Sequence, residues 1–182
     1  MSRHALIAAL AIVTITIAIL LAMGRPPICT CGEIEFWGPV GPKQSQMLAD
    51  WYSPSHFIHG VLFYALLTRV FRQWPADRRF LVALTVESAW EVFENTPLVI
   101  DRYREATMAL GYTGDSMLNS LSDIAVMALG FLAARRLPVW ASVLLVVGFE
   151  LLTLAVIRDN LTLNVWMLLW PTDDIRIWQS GA

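Results

Sequence analysis

The sequence predicts an all-α protein, a multi-pass transmembrane helix bundle of about five spans with a short C-terminal interfacial or re-entrant helix. Of its 182 residues, 57% are hydrophobic and only 15% are charged, compared with about 25% charged residues in soluble domains. Apolar runs of helical length recur along the chain without internal repeats or low-complexity segments. This composition is typical of an integral membrane protein, whose expected partners are membrane lipids. The net charge of −2 provides no basic surface for nucleic acid, so no nucleic-acid partner is expected. The sequence does not identify a protein partner.

The predicted spans form a single integral-membrane domain, 1–182, and cover residues 5–23, 56–71, 80–98, 115–134 and 139–157. The first run, "ALIAALAIVTITIAILLAM", is uncharged and long enough to cross about 30 Å of hydrocarbon. A cleaved signal peptide is the alternative, because Ala22-Met23-Gly24 resembles a cleavage site. Since the apolar core of a signal peptide is usually about 7–15 residues long, the length of the run favours a retained helix.

Polar segments separate these runs. Gly and Pro make 24–55 a long loop, and Ser53 or Ser55 is the expected cap of the next helix. The loop contains Cys29 and Cys31, for which a disulfide across one residue is strained; a metal pair, a redox-labile bond and an intermolecular bridge are the other interpretations. Residues 99–114 are predicted as a second polar loop.

The C-terminal tail, 158–182, contains the short apolar piece "LTLNVWMLLWP". At about ten residues it is too short to span a membrane, so an interfacial or re-entrant helix is predicted. Trp166 and Trp170 suit the depth of the membrane interface.

Arginines indicate the orientation of the bundle. They concentrate at the N-terminus and in the two short turns: Arg3, Arg72, Arg78, Arg79, Arg135 and Arg136. Because short cytoplasmic loops are rich in Lys and Arg, the N-terminus is predicted inside and the C-terminus outside. The long loops, which contain most of the acidic residues, then face outward.

Within the spans, ionisable and amide residues are predicted at mid-depth or in the outer half. The stretch "ESAWEVFENTP" puts Glu87, Glu91 and Glu94 on one helix face. A charge at the centre of a span costs about 2.5–3.5 kcal/mol on insertion scales, so the polar stripes of the second, third and fourth spans should surround a shared, outward-facing cleft. The predicted catalytic residues are His56, His59, Glu91, Glu94, Asp115, Asn119 and Asp123.

Two chemistries fit this set. Imidazole and carboxylate ligands suit a divalent metal held by His56, His59, Glu91 and Asp115. Crowded carboxylates can instead supply a metal-free acid and base. A lid formed by Arg102, Tyr103 and Arg104 is predicted to bind a phosphate or a lipid headgroup.

These features favour a hydrolase or transferase that acts on a lipid or lipid-linked substrate. The alternative is a non-catalytic scaffold or assembly factor, because polar side chains also hold membrane helices or a partner together by hydrogen bonds. A small proton-coupled carrier is a third interpretation, although carriers usually contain internal repeats.

Six stretches resemble a bacterial inner-membrane family of unknown function that occurs mainly in alphaproteobacteria: "RPPICTCGEIEFW", "DWYSPSHFIHG", "ESAWEVFENTP", "RYREATMALGYTGDSMLNSLSD", "ARRLPVW" and "IRDNLTLNVWMLLWP". The resemblance extends over nearly the whole chain and implies a multi-pass plasma-membrane protein. In such a membrane, the orientation that the arginines indicate puts 24–55 and 158–182 in the periplasm and the N-terminus in the cytoplasm. It implies no reaction. A weaker, local likeness to VanZ-like membrane proteins is limited to "GDSMLNSLSD".

Overall fold

The computed structural model describes residues 1–107 and 111–181, and within them it contains eight α-helices and no β-strand. The helices are α1 (Arg3–Ala22), α2 (Ser53–Val70), α3 (Ala76–Glu94), α4 (Pro97–Ala106), α5 (Met117–Arg136), α6 (Val139–Ile157), α7 (Leu161–Leu169) and α8 (Asp173–Ser180). The all-α prediction is therefore confirmed.

Among the described residues, three helices, α1, α5 and α6, are long and apolar enough to cross a membrane, fewer than the five predicted. The other two predicted spans correspond to α2 and α3, which are helices of sufficient length but of more polar composition. Helix α3 carries Asp77, Arg78 and Arg79 in its first turn and three glutamates further along. Helix α3 is about as long as α1, α5 and α6, but its polar residues make it less hydrophobic than those three helices.

The third predicted span, 80–98, also extends beyond its helix. Helix α3 ends at Glu94, and Pro97 begins α4 two residues after the cap, Asn95. Proline is favoured in the first turn of a helix because its missing N–H would be unpaired there anyway. Helix α4 thus replaces much of the predicted loop 99–114, of which residues 108–110 lie outside the described residues.

Helices α2 and α5 run side by side in the same direction and form the centre of the bundle. Glycines let their backbones touch: a Cβ on Gly60 would lie 2.0 Å from the carbonyl oxygen of Met127, and one on Gly130 would lie 2.1 Å from that of Phe57. Small residues allow the same close approach at helix crossings in membranes. Around the crossing lies a buried apolar cluster of Leu67, Ala83, Leu84, Ile124, Met127 and Phe131.

The basic turns gather at one end of the bundle. The N-terminus of α1 meets the start of α3, where the backbone N–H of Ser2 donates to Asp77 at 2.6 Å. Helix α2 ends nearby with Arg69 in its last turn, and α5 ends with Arg135 and Arg136. The polar ends of α2, α3 and α5, with His56, Glu94 and Asn119, therefore lie at the opposite end.

The loop between α1 and α2 packs over that polar end and contains a disulfide between Cys29 and Cys31. It also holds the start of α5, since the N–H of Met117 donates to the carbonyl of Pro26 at 2.8 Å and the N–H of Ser116 donates to that of Ser45 at 3.0 Å. The loop therefore covers and positions the end of the bundle where the predicted site lies.

The tail contains two helices. Helix α7 agrees with the predicted short helix, whereas α8 was not predicted. Helix α8 is docked by the amide of Gln179, which donates to Asp159 at 3.1 Å.

Candidate functional site

A cavity of about 240 Å³ opens at the polar end of the bundle, between α2, α3, the start of α5, and α7. Its polar lining includes most of the predicted site: His56, His59, Glu94, Tyr103, Asp115, Asn119 and Asp123. Polar side chains that the prediction left out also line it: Asp50, Tyr52, Glu87, Tyr112 and Asn164. The groups from α2, α3 and α5 therefore converge, as the sequence predicts.

Glu87 is the centre of the imidazole cluster. Its Oε1 lies 2.7 Å from Nδ1 of His56, and both of its oxygens lie 3.1 Å from Nδ1 of His59. The two imidazoles come from successive turns of α2, one helical turn apart, so they reach the same carboxylate. Glu87 is fully buried, at 0% exposure, whereas His59 is partly open to the cavity.

Two further carboxylates flank His56. Oε1 of Glu91 lies 3.5 Å from its Nδ1, and Oδ2 of Asp123 lies 3.8 Å from its Nε2. Glu91 is 1% exposed and does not itself line the cavity. Its Oε1 has no hydrogen-bond partner among the described residues, which is unusual because most buried polar atoms are paired.

Asp115 is held tightly at the cavity wall. Its backbone N–H donates to Oδ1 of Asn95 at 2.8 Å, and its two carboxylate oxygens accept from Asn95 at 2.7 Å and from the hydroxyl of Tyr112 at 2.8 Å. Burial raises the pKa of Tyr112 well above its ordinary value, so this phenol remains a donor at neutral pH. These bonds join the end of α3 to the start of α5.

Two other polar residues bind the loop. The amide of Asn119 donates to the carbonyl of Met47 at 3.0 Å. The carboxylate of Asp50 accepts the backbone N–H groups of Ser45 at 2.8 Å and Tyr52 at 2.7 Å. Burial nevertheless raises the pKa of Asp50 above its ordinary value. Asp50 and Asn119 therefore hold backbone in place at the edge of the cavity.

Only one of the three predicted lid residues faces the cavity. Tyr103 lines it, and its hydroxyl donates to Oδ1 of Asn164 at 3.2 Å. Arg102 instead donates from Nε to the carbonyl of Leu168 at 2.8 Å, and Arg104 donates from Nε to that of Tyr112 at 2.6 Å. Neither arginine is part of the lining.

The cavity lining also includes apolar side chains, which we call the apolar rim. The rim consists of Phe63, Val86, Trp90, Leu161 and Val165. Val86 on α3 and Val165 on α7 are 47% and 44% exposed, so the rim reaches the outside of the bundle. The cavity therefore combines charged groups inside with an apolar edge.

Several site residues were missed for identifiable reasons. Glu87 was recognised as part of the stripe but not assigned to the site, although its spacing of four from Glu91 was a usable signal. Asp50 and Tyr112 lie in loops, where no periodicity predicts the direction of a side chain. Asn164 lies in the predicted short helix, α7, but the sequence did not show that this helix packs beside the cavity.

Two groups of side chains have donor atoms close enough together to share a metal ion: His56, His59 and Glu87, and His56, Glu91 and Glu94. Within each group, the donor atoms lie within 4.8 Å of one another. Asp115, which was a predicted ligand, is not in either group, and both of its oxygens already accept hydrogen bonds.

The family described as "Protein of unknown function (DUF2585)" matches residues 20–181. The UPF0314 protein of Agrobacterium fabrum is 56% identical over 91% of this chain and 84% of its own length. The UPF0314 protein of Sphingopyxis alaskensis is 51% identical over 100% of this chain and 97% of its own length. The UPF0314 protein of Paracoccus denitrificans is 54% identical over 89% of this chain and 85% of its own length. No solved structure matches the chain. The expected resemblance to an alphaproteobacterial family of unknown function is confirmed, and the chain belongs to the DUF2585 family.

Proposed function

We propose that this protein is a multi-pass inner-membrane enzyme, a hydrolase or transferase that acts on a lipid or lipid-linked substrate at the periplasmic side. The observation that carries the proposal is the cavity itself, in which imidazole and carboxylate groups share the lining with an apolar rim that reaches the outside of the bundle at Val86 and Val165. A cavity with convergent polar groups in an otherwise apolar site is the usual form of a small-molecule site.

The membrane arrangement belongs to the same proposal. Helices α2 and α3 join α1, α5 and α6 as spans, because their charged groups at the cavity end face one another rather than the lipid. The N-terminus and the basic turns are cytoplasmic and the cavity is periplasmic, in accord with the concentration of arginines at the other end of the bundle. The whole chain, 1–182, forms one membrane domain.

Glu94 and His59 are the proposed proton carriers. Both line the cavity, and their contacts are with other side chains: Glu94 with Tyr103, and His59 with Glu87. One of the pair removes the proton from an attacking water or acceptor hydroxyl, and the other returns a proton to the oxygen that leaves. The pairing with Glu87 orients the imidazole of His59, as a carboxylate does in other acid–base sites.

The apolar rim favours an amphiphilic substrate. The polar end of such a molecule would reach Glu94 and His59, while its chain would lie between Val86 on α3 and Val165 on α7. Because both residues are exposed to the surrounding phase, a membrane lipid could enter laterally without leaving the bilayer. Arg102 joins α4 to α7, and Arg104 joins α4 to the loop before α5, so neither arginine lines this path.

The test is Glu94→Gln in an alphaproteobacterial host from which the gene has been deleted. The substitution keeps the shape of the side chain and removes its ability to exchange a proton. We expect the wild-type gene to restore the lipid composition of the envelope, measured by mass spectrometry of extracted lipids, and Glu94→Gln to fail at equal protein abundance. Glu105→Gln is the matched control, because Glu105 is exposed on α4 outside the cavity.

Full complementation by Glu94→Gln would contradict the proposed reaction. A Glu94→Gln protein that disappears from the membrane or loses a co-purifying partner, with lipids unchanged, would favour the scaffold alternative instead.

A further inference from the structure

We propose that His56, His59, Glu87 and Glu91 form a binding site for one divalent transition-metal ion, with Zn²⁺ as the best match. The proposed ligands lie in and beside the wall of the cavity. Only a catalytic role of the ion rests on the proposed function; its binding does not. The ion itself can be tested without any assay of activity.

The spacing of the donor atoms suits a tetrahedral ion. Four N and O ligands at about 2.0–2.2 Å from Zn²⁺ lie about 3.3–3.5 Å from one another. The Nδ1 atoms of His56 and His59 lie 2.7 Å and 3.1 Å from Glu87, and Nδ1 of His56 lies 3.5 Å from Oε1 of Glu91. The donor atoms of His56, His59 and Glu87 lie within 4.8 Å of one another, so small side-chain movements would bring these three onto one ion. Glu91 lies close to His56 but outside that group, so it would have to move further to become the fourth ligand.

The unpaired oxygen of Glu91 is an independent indication that this place binds a cation. Oε1 has no hydrogen-bond partner among the described residues although the residue is 1% exposed, and it points toward the same nitrogen of His56 that contacts Glu87. An unpaired buried carboxylate oxygen is costly. A cation there would pair the oxygen of Glu91 and take the place of the proton on Nδ1 of His56, which Glu87 already contacts at 2.7 Å.

The carboxylate of Asp123 lies where it could orient His56 as a metal ligand. Oδ2 of Asp123 lies 3.8 Å from Nε2, the other ring nitrogen of His56. Carboxylates commonly orient metal-bound imidazoles from this side. Imidazole and carboxylate together favour Zn²⁺ over Mg²⁺ and Ca²⁺, which prefer oxygen ligands throughout.

A bound ion would supply a Lewis acid and lower the pKa of an attacking water. The side chain of His59 would then be a ligand, and the proton would pass to Glu94, which lines the cavity beside the proposed site.

The experiment is a Zn²⁺ titration of the full chain, purified in detergent without a polyhistidine tag and freed of metal, in competition with a chelating dye. We expect one Zn²⁺ per chain for the wild type and at least tenfold weaker binding for His59→Ala and Glu91→Gln. The matched controls, His4→Ala and Glu105→Gln, change exposed residues far from the proposed ligands and should bind as the wild type does. Co²⁺ in the wild-type protein should give the strong visible absorption of a tetrahedral site.

A folded wild-type protein that binds no Zn²⁺ would overturn the inference, as would equal binding by a folded His59→Ala variant. If His59→Ala fails to fold, Glu91→Gln and the Co²⁺ spectrum of the wild type decide the question. A metal-free protein whose Glu94→Gln variant still fails to restore the lipids would end the metal inference and leave the proposed function standing.

Discussion

The polar residues at the end of the bundle fall into two kinds according to what they contact. Asp50, Asp115 and Asn119 bind backbone groups or the side chains that join two elements. His59 and Glu87 contact each other across two helices. The first kind fixes the shape of the cavity, whereas the second is available for chemistry. We therefore assign Asp115 and Asn119 as positioning residues, although the sequence predicted them to be catalytic.

The reciprocal pair of Asn95 and Asp115 gives a prediction at the residue scale. Asn95→Ala removes two hydrogen bonds to Asp115 and leaves a buried carboxylate oxygen short of a donor. We expect a loss of stability on the order of 2 kcal/mol, measured as a lower midpoint of thermal unfolding in detergent. Gln73→Ala, in an exposed turn at the opposite end, should leave the midpoint unchanged. Equal midpoints for both variants would mean that the pair contributes little.

How far the sequence determines the site is also visible in single residues. The spacing of His56 and His59, and that of Glu91 and Glu94, placed each pair on one helical face, and the cost of charge in lipid turned those faces inward. No such rule applied to Arg102 and Arg104. A long side chain in a polar segment can reach many different hydrogen-bond acceptors. Arg102 donates to the carbonyl of Leu168 and Arg104 to that of Tyr112, and neither lines the cavity.

At the scale of elements, the crossing of α2 and α5 determines where the site can form. Gly60 follows His56 along α2, and Gly130 follows Asp123 along α5. The close contact at the two glycines brings the helices together, so His56 and Asp123 are neighbours. The sequence predicted that α2, α3 and α5 share one cleft, but it did not predict that the backbones of α2 and α5 touch at these two glycines. Apolar runs predicted the long helices because the length of a run is informative by itself, whereas the contacts between helices depend on the shapes of their surfaces.

Gly60→Ala tests the crossing. The new Cβ would lie 2.0 Å from the carbonyl oxygen of Met127, backbone that cannot move aside without separating the helices. We expect a destabilisation of about 1–3 kcal/mol or more, seen as a lower unfolding midpoint. Gly148→Ala on α6 is the matched control, since nothing lies within 4 Å of its Cβ. A Gly60→Ala protein as stable as the control would show that the helices do not cross so closely.

Short amphipathic helices account for the elements that the sequence did not predict. Helix α4 buries Val99, Ile100 and Tyr103 on one face while Asp101 and Arg104 remain exposed. Helix α4 has ten residues and α8 has eight. Neither contains enough apolar residues to form a run as recognisable as those of the long helices. They are stabilised by contacts with the tail and loop, which no local pattern predicts.

At the scale of the whole molecule, the two ends differ in chemistry. The short basic turns, with Arg72, Arg78, Arg79, Arg135 and Arg136, lie at one end, and the cavity, the disulfide loop and the C-terminal helices lie at the other. In a membrane this polarity predicts a cytoplasmic basic end and a periplasmic cavity. An oxidising compartment would also suit the disulfide between Cys29 and Cys31.

Reporter fusions test this orientation. Alkaline phosphatase fused after the C-terminus should be active in cells, because it folds only in the periplasm, and green fluorescent protein at the same position should be dark. The same reporters placed in the basic turn that contains Gln73 should give the reverse pattern. Bright green fluorescence at the C-terminus, with inactive phosphatase, would invert the proposed topology.

A crystal structure grown in a lipid mesophase, with co-purified lipid retained, tests most directly whether these helices enclose one amphiphile-binding cavity. We predict that His59, Glu94 and Asp123 face a common space and that lipid density enters it polar end first, its chain lying between α3 and α7. Side chains found on separate faces of the bundle, or a space closed to lipid by packed apolar residues, would contradict the account.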